Sequence, residues 1–214
     1  PRVRGEGSTM GGADERGVPS LRESKRELTR SRLVAAATTA FESKPYTDVT
    51  VDDISAGAGV SRATFYLYYP GKAKILRDCL ADFQAGLDGL WAEFEGYDEA
   101  SVASLERWLC AYVELYERHR PLLATMHQAE AVEPEFRDDV VRTVRDTMAR
   151  WQGLDMVRSV IGAGEDLELR VLLFTAELQR FLFLWIIQGI DVDRDKAIHT
   201  LAEHWYTVLV GDRA

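Results

Sequence analysis

TVDDISAGAGVSRATFYLYYPGK, residues 50–72, decides how the chain is read. Thr50 followed three residues later by Asp53 approximates a capping box, and Asp52 and Asp53 both suit the positive end of a helix dipole. The helix they open ends near Ala58–Gly59, since glycine readily takes the left-handed conformation of a tight helix exit. Val60 fills the turn and Ser61 caps the next helix. Two short helices, 50–58 and 61–68, joined this way have the proportions of a helix-turn-helix, whose second helix enters the DNA major groove.

Four rings crowd this second helix: Phe65, Tyr66, Tyr68 and Tyr69. Positions i and i+4 share a helix face, so Phe65 and Tyr69 form one face and are expected to build a small three-helix core with Phe41, Ile54, Ala58 and Val60. Tyr66 points elsewhere. The helix before this unit runs from Leu21 to Lys44–Pro45. Its expected packing face is Leu28, Arg32, Ala35, Ala36, Thr39 and Ala40, ending in Phe41. Its first half is basic, with Arg22, Lys25, Arg26, Arg30 and Arg32, a run that suits either a solvated face or proximity to DNA.

The 214 residues hold 46% hydrophobic and 29% charged side chains, ordinary values for a soluble globular protein. The net charge of −9 is unevenly spread: residues 1–80 carry 13 Lys or Arg against 10 Asp or Glu, and residues 81–214 carry 13 against 25. A mildly basic end on an acidic body is consistent with one end meeting a phosphate backbone. Phe181–Ile187, the longest strongly apolar run, is far shorter than the roughly 20 residues of a bilayer span. No basic-then-apolar signal pattern is present, so no membrane association and a cytoplasmic location are expected. Cys79 and Cys110 suggest neither a disulfide framework nor a zinc cage.

Residues 1–20 are rich in Gly without apolar periodicity and are expected to be a flexible tail. Downstream of the helix-turn-helix, periodicity predicts helices over 71–95, 101–118, 121–131, 134–152, 165–189 and 193–210. Ser101, Asp166 and Asp193 are the candidate caps, and Pro121 and Pro134 suit first turns. Alternating strand patterns are nearly absent, so the fold class is all-α. The expected organisation is a tail (1–20), a three-helix helix-turn-helix domain (21–70) and a C-terminal helical ligand-binding and dimerisation bundle (71–214).

The run 46–72 resembles, almost position for position, the DNA-binding domain of the TetR family of transcriptional regulators, and the helix ending ATTAFESKPY resembles that family's first helix. The aromatic body, with EHWYT near its end, is similar to the ethionamide-repressor-like branch. The resemblance implies a homodimeric regulator, a repressor released from a pseudo-palindromic DNA operator by a small hydrophobic effector. A protein of the same fold without an effector, an architectural or cell-cycle factor, is the alternative.

Ser61, Arg62, Ala63 and Thr64 occupy the first turn of the second helix, where side chains and free amides face the groove. Arg62 and Thr64 are the base-reading candidates: arginine grips guanine in a bidentate way and a threonine methyl meets that of thymine, a good contact being worth about 1–3 kcal/mol of discrimination. Ala63 permits close approach. The resemblance assigns Tyr66 a phosphate contact, which a phenol hydroxyl can make. Lys72 would clamp another phosphate, Thr50 either bonds a phosphate or only caps its helix, and Leu67 and Tyr68 either touch DNA or fill space.

In the body, Trp91, Trp108, Tyr112, Tyr116, Trp151, Phe174, Phe181, Trp185 and Trp205 recur at helical spacing. Such residues form either plain core or, with a few polar groups, a ligand pocket; His127, Glu177 and Gln179 are the polar candidates. Leu172–Phe174 and 181–187 are apolar nearly all round, a surplus that favours dimerisation through 165–189 and 193–210. No H-E-x-x-H, P-loop, G-x-S-x-G or paired-cysteine motif occurs, so neither an enzyme, a cofactor nor a metal site is expected; His199 and His204 are read as surface residues.

Overall fold

The computed structural model describes residues 20–97, 101–153 and 166–210, without the side chains of 140, 151, 152, 166–168 and 208–210. The expected tail therefore lies outside the described residues except for Ser20, as do the side chains of Trp151 and Asp166. Every described element is helical.

Helix α1 (Leu21–Ser43) opens on Ser20, whose hydroxyl accepts from the Glu23 amide while Glu23 answers to the Ser20 amide. It buries Leu33, Ala37 and Phe41. This corrects the expected face: Leu28 is 62% exposed, and Ala35 and Thr39 are also exposed. The buried row runs i, i+4, i+8 through the larger Leu33 and Phe41, which gain more from leaving water than the alanines between them. After Pro45 a single 3₁₀ turn, Tyr46–Asp48, leads to α2 (Val51–Ala58).

Gly59 leaves α2 at φ 64°, ψ 38°, with its amide on Ala56 O and the Val60 amide on Ser55 O. Arg32 of α1 crosses to this end and donates to Ala58 O at 2.5 Å, placing a cation on the negative pole of α2. Ser61 then caps α3 (Arg62–Tyr68) by accepting from the Thr64 amide at 3.0 Å. Phe65 and Tyr69 are buried with Phe41, Ile54 and Ala58, as their spacing required, and Val60 is half-buried.

The expected helix 71–95 is two helices, α4 (Lys72–Cys79) and α5 (Ala81–Glu95), broken at Leu80 with φ −86° and ψ 3°. The break lets Ile75 and Leu76 pack towards α1 while Phe83 meets Tyr116 in the body. The remainder comprises α6 (Val102–Arg118), capped by Ser101, α7 (Arg120–Val132), α8 (Pro134–Gly153), α9 (Asp166–Leu182) and α10 (Arg194–Val210). Asp193 caps α10, accepting the Lys196 amide at 3.0 Å. α9 continues into a wider π-helical turn, Phe183–Ile187, that ends at Gly189 with φ 76°. α10 packs along α6, and α8 along α9.

Candidate nucleic-acid interface and inner cavity

The outer face of α3 presents Ser61, Arg62, Ala63, Tyr66 and Leu67 to solvent, with Tyr66 47% and Leu67 79% exposed. It is exposed because its opposite side, Phe65 and Tyr69, is committed to the core. The Arg62 guanidinium lies 3.1 Å from Asp52 and 3.4 Å from the Tyr66 hydroxyl, and 5.7 Å above the Tyr66 ring. Both members of the Arg62–Asp52 pair are well over half exposed, so solvent screens it and the arginine is free to exchange one anion for another. Thr64, half-buried, bonds the Ser61 hydroxyl at 2.9 Å.

Thr50 caps α2: its amide and hydroxyl donate to Asp53 at 2.8 and 2.6 Å, and Lys44 joins at 2.7 Å. The Lys44 ammonium, then the Thr50 hydroxyl and amide, hold the Asp53 carboxyl well below its ordinary value. Two other candidates lie off the α3 face. Lys72 turns inward, its ammonium donating to Tyr46 O (2.7 Å) and Val49 O (3.2 Å) and resting 4.1 Å from the Tyr46 ring centre. That makes it a clasp on the 3₁₀ turn rather than a freely extended phosphate clamp, and burial lowers its pKa. Tyr68 is half-buried and lines a shallow groove with Arg26, Arg30 and Lys74.

Sequence reasoning missed the polar tip of the α3 core. The Tyr69 hydroxyl donates to Asp78 at 2.6 Å, and Arg30 reaches the same carboxylate at 2.8 Å, tying α1, the end of α3 and α4 together. Burial opposes the ionised form of Asp78, but the bonds from Tyr69 and Arg30 outweigh it and leave the carboxyl below its ordinary value. Of the five basic residues of α1, Arg30 and Arg32 thus hold structure, whereas Arg22, Lys25 and Arg26 stay exposed.

A second missed set joins this domain to the body. Tyr46 is fully buried, donates its hydroxyl to Glu133 at 2.8 Å and its amide to Gln128 at 2.8 Å. Beside it the Thr125 hydroxyl meets Phe41 O at 3.0 Å. All three partners lie on α7 or its C-terminal edge, so α7 is the helix on which the N-terminal unit rests.

The body holds a partly open cavity of about 240 Å³. Leu80, Phe83 and Leu87 wall it from the α5 side, Tyr112 and Tyr116 from α6, Met126, His127 and Glu130 from α7, Phe136, Asp139 and Thr143 from α8, and Gln179 from α9. Arg77 lies at its edge, paired with Asp139 and donating to Glu135 O at 3.2 Å. A smaller void of about 40 Å³ adjoins it, sharing Leu87, Tyr112, Thr143 and Gln179 and reaching Trp91, Trp108 and Trp205.

The ligand-site candidates are thereby sorted. Tyr112, Tyr116, His127 and Gln179 line the main cavity. Trp108 is the centre of the aromatic core, 5.4 Å from Trp91, 5.1 Å from Tyr112 and 5.9 Å from Trp205, with its indole donating to Leu90 O. Phe174 packs on Trp205 at 5.6 Å. Glu177 is corrected: it is exposed and faces His204 at 3.4 Å, outside the cavity. Phe181 is likewise outside, packed against Trp185 at 5.6 Å. Among the described residues no cluster of His, Cys, Asp and Glu is placed to hold a metal ion, and no helix is long and apolar enough to cross a membrane.

Residues 33–79, containing the α2–α3 unit, match the N-terminal domain of the bacterial regulatory proteins of the tetR family. The HTH-type transcriptional regulator EthR of Mycobacterium tuberculosis is 38% identical over 71 residues, 32% of this chain and 33% of that protein. The match therefore spans about a third of the first curated relatives' length. EthR of Mycolicibacterium smegmatis is 24% identical over 210 residues, covering 93% of this chain and 95% of that one. A tetR-family transcriptional regulator from Streptomyces coelicolor shares the fold with a TM-score of 0.65 at 23% identity, over 85% of this chain and 80% of that one.

Proposed function

Since the chain belongs to the tetR family of bacterial regulatory proteins, we propose that it is a homodimeric, sequence-specific DNA-binding repressor whose operator is released when a small hydrophobic ligand occupies the inner cavity. The observation that carries this reading is the outward face of α3: Arg62 and Ala63 are exposed at its N-terminal turn, with Tyr66 one turn along. Arg62 exchanges Asp52 for a base edge, Ala63 permits close approach, and the hydroxyls of Ser61 and Tyr66 reach phosphate oxygens. Leu67 meets sugars or thymine methyls at the rim. Thr50 holds the entry to α2, and Lys72 acts through the turn it clasps.

The acidic body keeps nonspecific attraction low, so base contacts weigh more in the total. Leu169, Leu172 and Leu173 of α9 are exposed at 56%, 39% and 61%. An apolar row of this kind on a helix end of the molecule supports pairing with a second copy, and two-fold pairing would set two α3 helices against a pseudo-palindromic site.

Release follows from α7 serving two neighbours. Met126, His127 and Glu130 face the cavity, and Thr125 and Gln128 hold the backbone of residues 41–46. A ligand that shifts α7 changes how the N-terminal unit rests on the body, and coupling of this kind is reciprocal: operator binding weakens ligand binding by the same factor. Selection of bound duplexes from a random DNA pool tests the reading. An enriched inverted repeat is the expected result; a pool that stays random after several rounds contradicts it.

A further inference from the structure

The polar groups that line the cavity bear on what fills it. Tyr112 and Tyr116 are 93% and 96% buried and stand side by side with rings 5.5 Å apart and nearly parallel. Neither phenol makes a hydrogen bond among the described residues. Burial pushes the Tyr116 hydroxyl up to about 12, the nearby Glu130 carboxylate adding to the effect, so both phenols stay neutral.

Next to them His127 Nδ1 lies 3.1 Å from Glu130 Oε2. An ionised carboxylate only accepts, so Nδ1 holds the proton, and in a neutral imidazole the Nε2 lone pair is left as an acceptor. Nε2 is buried without a hydrogen-bond partner among the described residues. Glu130 itself is about a quarter exposed, and its second oxygen has no hydrogen bond among the described residues. Gln84, whose amide nitrogen donates to Asp88 at 3.3 Å, also lines the site.

The charges point the same way. Asp139 is matched by Arg77 and, at 3.2 Å, by Arg142. Among the described lining residues, Glu130 is the carboxylate without a permanent cation beside it. An anionic ligand would meet that carboxylate in a partly desolvated space, a repulsion that the neutral phenol hydroxyls, acting as donors, offset only in part. A neutral ligand would leave it as it is. A cation gains from it directly, and the aromatic lining of Tyr112, Tyr116 and Phe83 suits a cation as well.

Resting on the effector reading above, we propose that this cavity binds an amphiphilic ammonium, an apolar body bearing one protonated amine. The amine lies among Glu130, His127 Nε2 and the two phenol oxygens; the body lies against Leu80, Leu87 and Phe136.

The test uses the purified full chain without DNA and three probes on one skeleton: 4-phenylbutylamine, 4-phenylbutanol and 4-phenylbutyrate, titrated calorimetrically at neutral pH. Binding of the amine at least tenfold tighter than the alcohol, with the butyrate weaker than both, is expected. Glu130→Gln should then remove most of the amine's advantage while the alcohol's affinity stays within about twofold, and Tyr116→Phe should reproduce part of that loss. Equal affinity of amine and alcohol, or preference for the butyrate, overturns the ammonium assignment and leaves a ligand-responsive regulator standing. Saturable binding of none of the three overturns the assignment as well. DNA recognition is untouched by any of these outcomes and is read by its own experiment.

Discussion

The N-terminal unit and the body treat their tyrosines in opposite ways. Tyr46 and Tyr69 bury their rings and spend their hydroxyls on Glu133 and on the Asp78–Arg30 pair. Tyr112 and Tyr116 bury their rings as deeply, yet neither hydroxyl is hydrogen-bonded among the described residues. A surface that reads DNA has to hold its side chains at fixed positions, so its supporting polar groups are closed on one another. A receptor for a small molecule has to leave polar groups open for the ligand to close.

The largest effect should come from the packed side of this contrast. Phe65 is fully buried beneath the exposed α3 face, so Phe65→Ala should cost about 3–5 kcal/mol in urea unfolding and abolish DNA binding. Gly59→Ala comes next. At φ 64° an L side chain is strained, and its Cβ would stand 2.8 Å from the Arg32 Nη2 that caps α2. A loss of roughly 1–2 kcal/mol is expected, with the flexible arginine yielding first.

The tyrosine contrast is tested by one substitution made in both regions. Tyr46→Phe strands the Glu133 carboxylate and should cost about 1–2 kcal/mol, whereas Tyr112→Phe removes a hydroxyl that has no hydrogen-bond partner among the described residues and should stay within ~0.5 kcal/mol in the same melts. Equal costs would erase the distinction.

The smallest expected effect is electrostatic. The folded Asp78 carboxyl titrates below its ordinary value of 3.8. Its contribution to stability is therefore complete above that value and is lost as pH falls through the lower, folded one. Melting temperature should fall between pH ~5 and ~2, and Asp78→Asn should flatten part of that fall. An unchanged slope in the variant would place the acid sensitivity elsewhere.

The N-terminal unit was legible because its signals are local. Thr50 with Asp53, Gly59, and Ser61 with Thr64 each fix a helix end within four residues, and the i, i+4 pair Phe65 and Tyr69 fixes the buried side. The face of α1 was not, because alanines at 35–37 and 40 give the pattern little contrast, and the partner surface selects Leu33 and Phe41 instead. Nor was the break at Leu80 visible: no glycine or proline marks it, and it arises where Ile75–Leu76 and Phe83 are drawn to different neighbours.

In the body, Trp108, Tyr112 and Tyr116 form one stripe in the sequence, yet Trp108 is fully enclosed and the tyrosines border a void. That difference depends on what α5, α7 and α8 place opposite each ring, information spread over chain separations that no local pattern carries. Lys72 failed for a related reason. Its position after Gly71 suggested an outward reach, but the carbonyls of Tyr46 and Val49, set by a 3₁₀ turn absent from the sequence reading, captured its ammonium.

The central claim is that the open face of α3 reads a DNA sequence. Fluorescence anisotropy with the duplex upstream of the protein's own coding region, against a scrambled duplex of equal composition at one salt concentration, tests it most directly. At least a tenfold preference for the native duplex is expected, with its collapse in Arg62→Ala while the scrambled duplex binds nearly as before. Equal affinity for the two duplexes, or a preference that survives Arg62→Ala together with Tyr66→Phe, would contradict it.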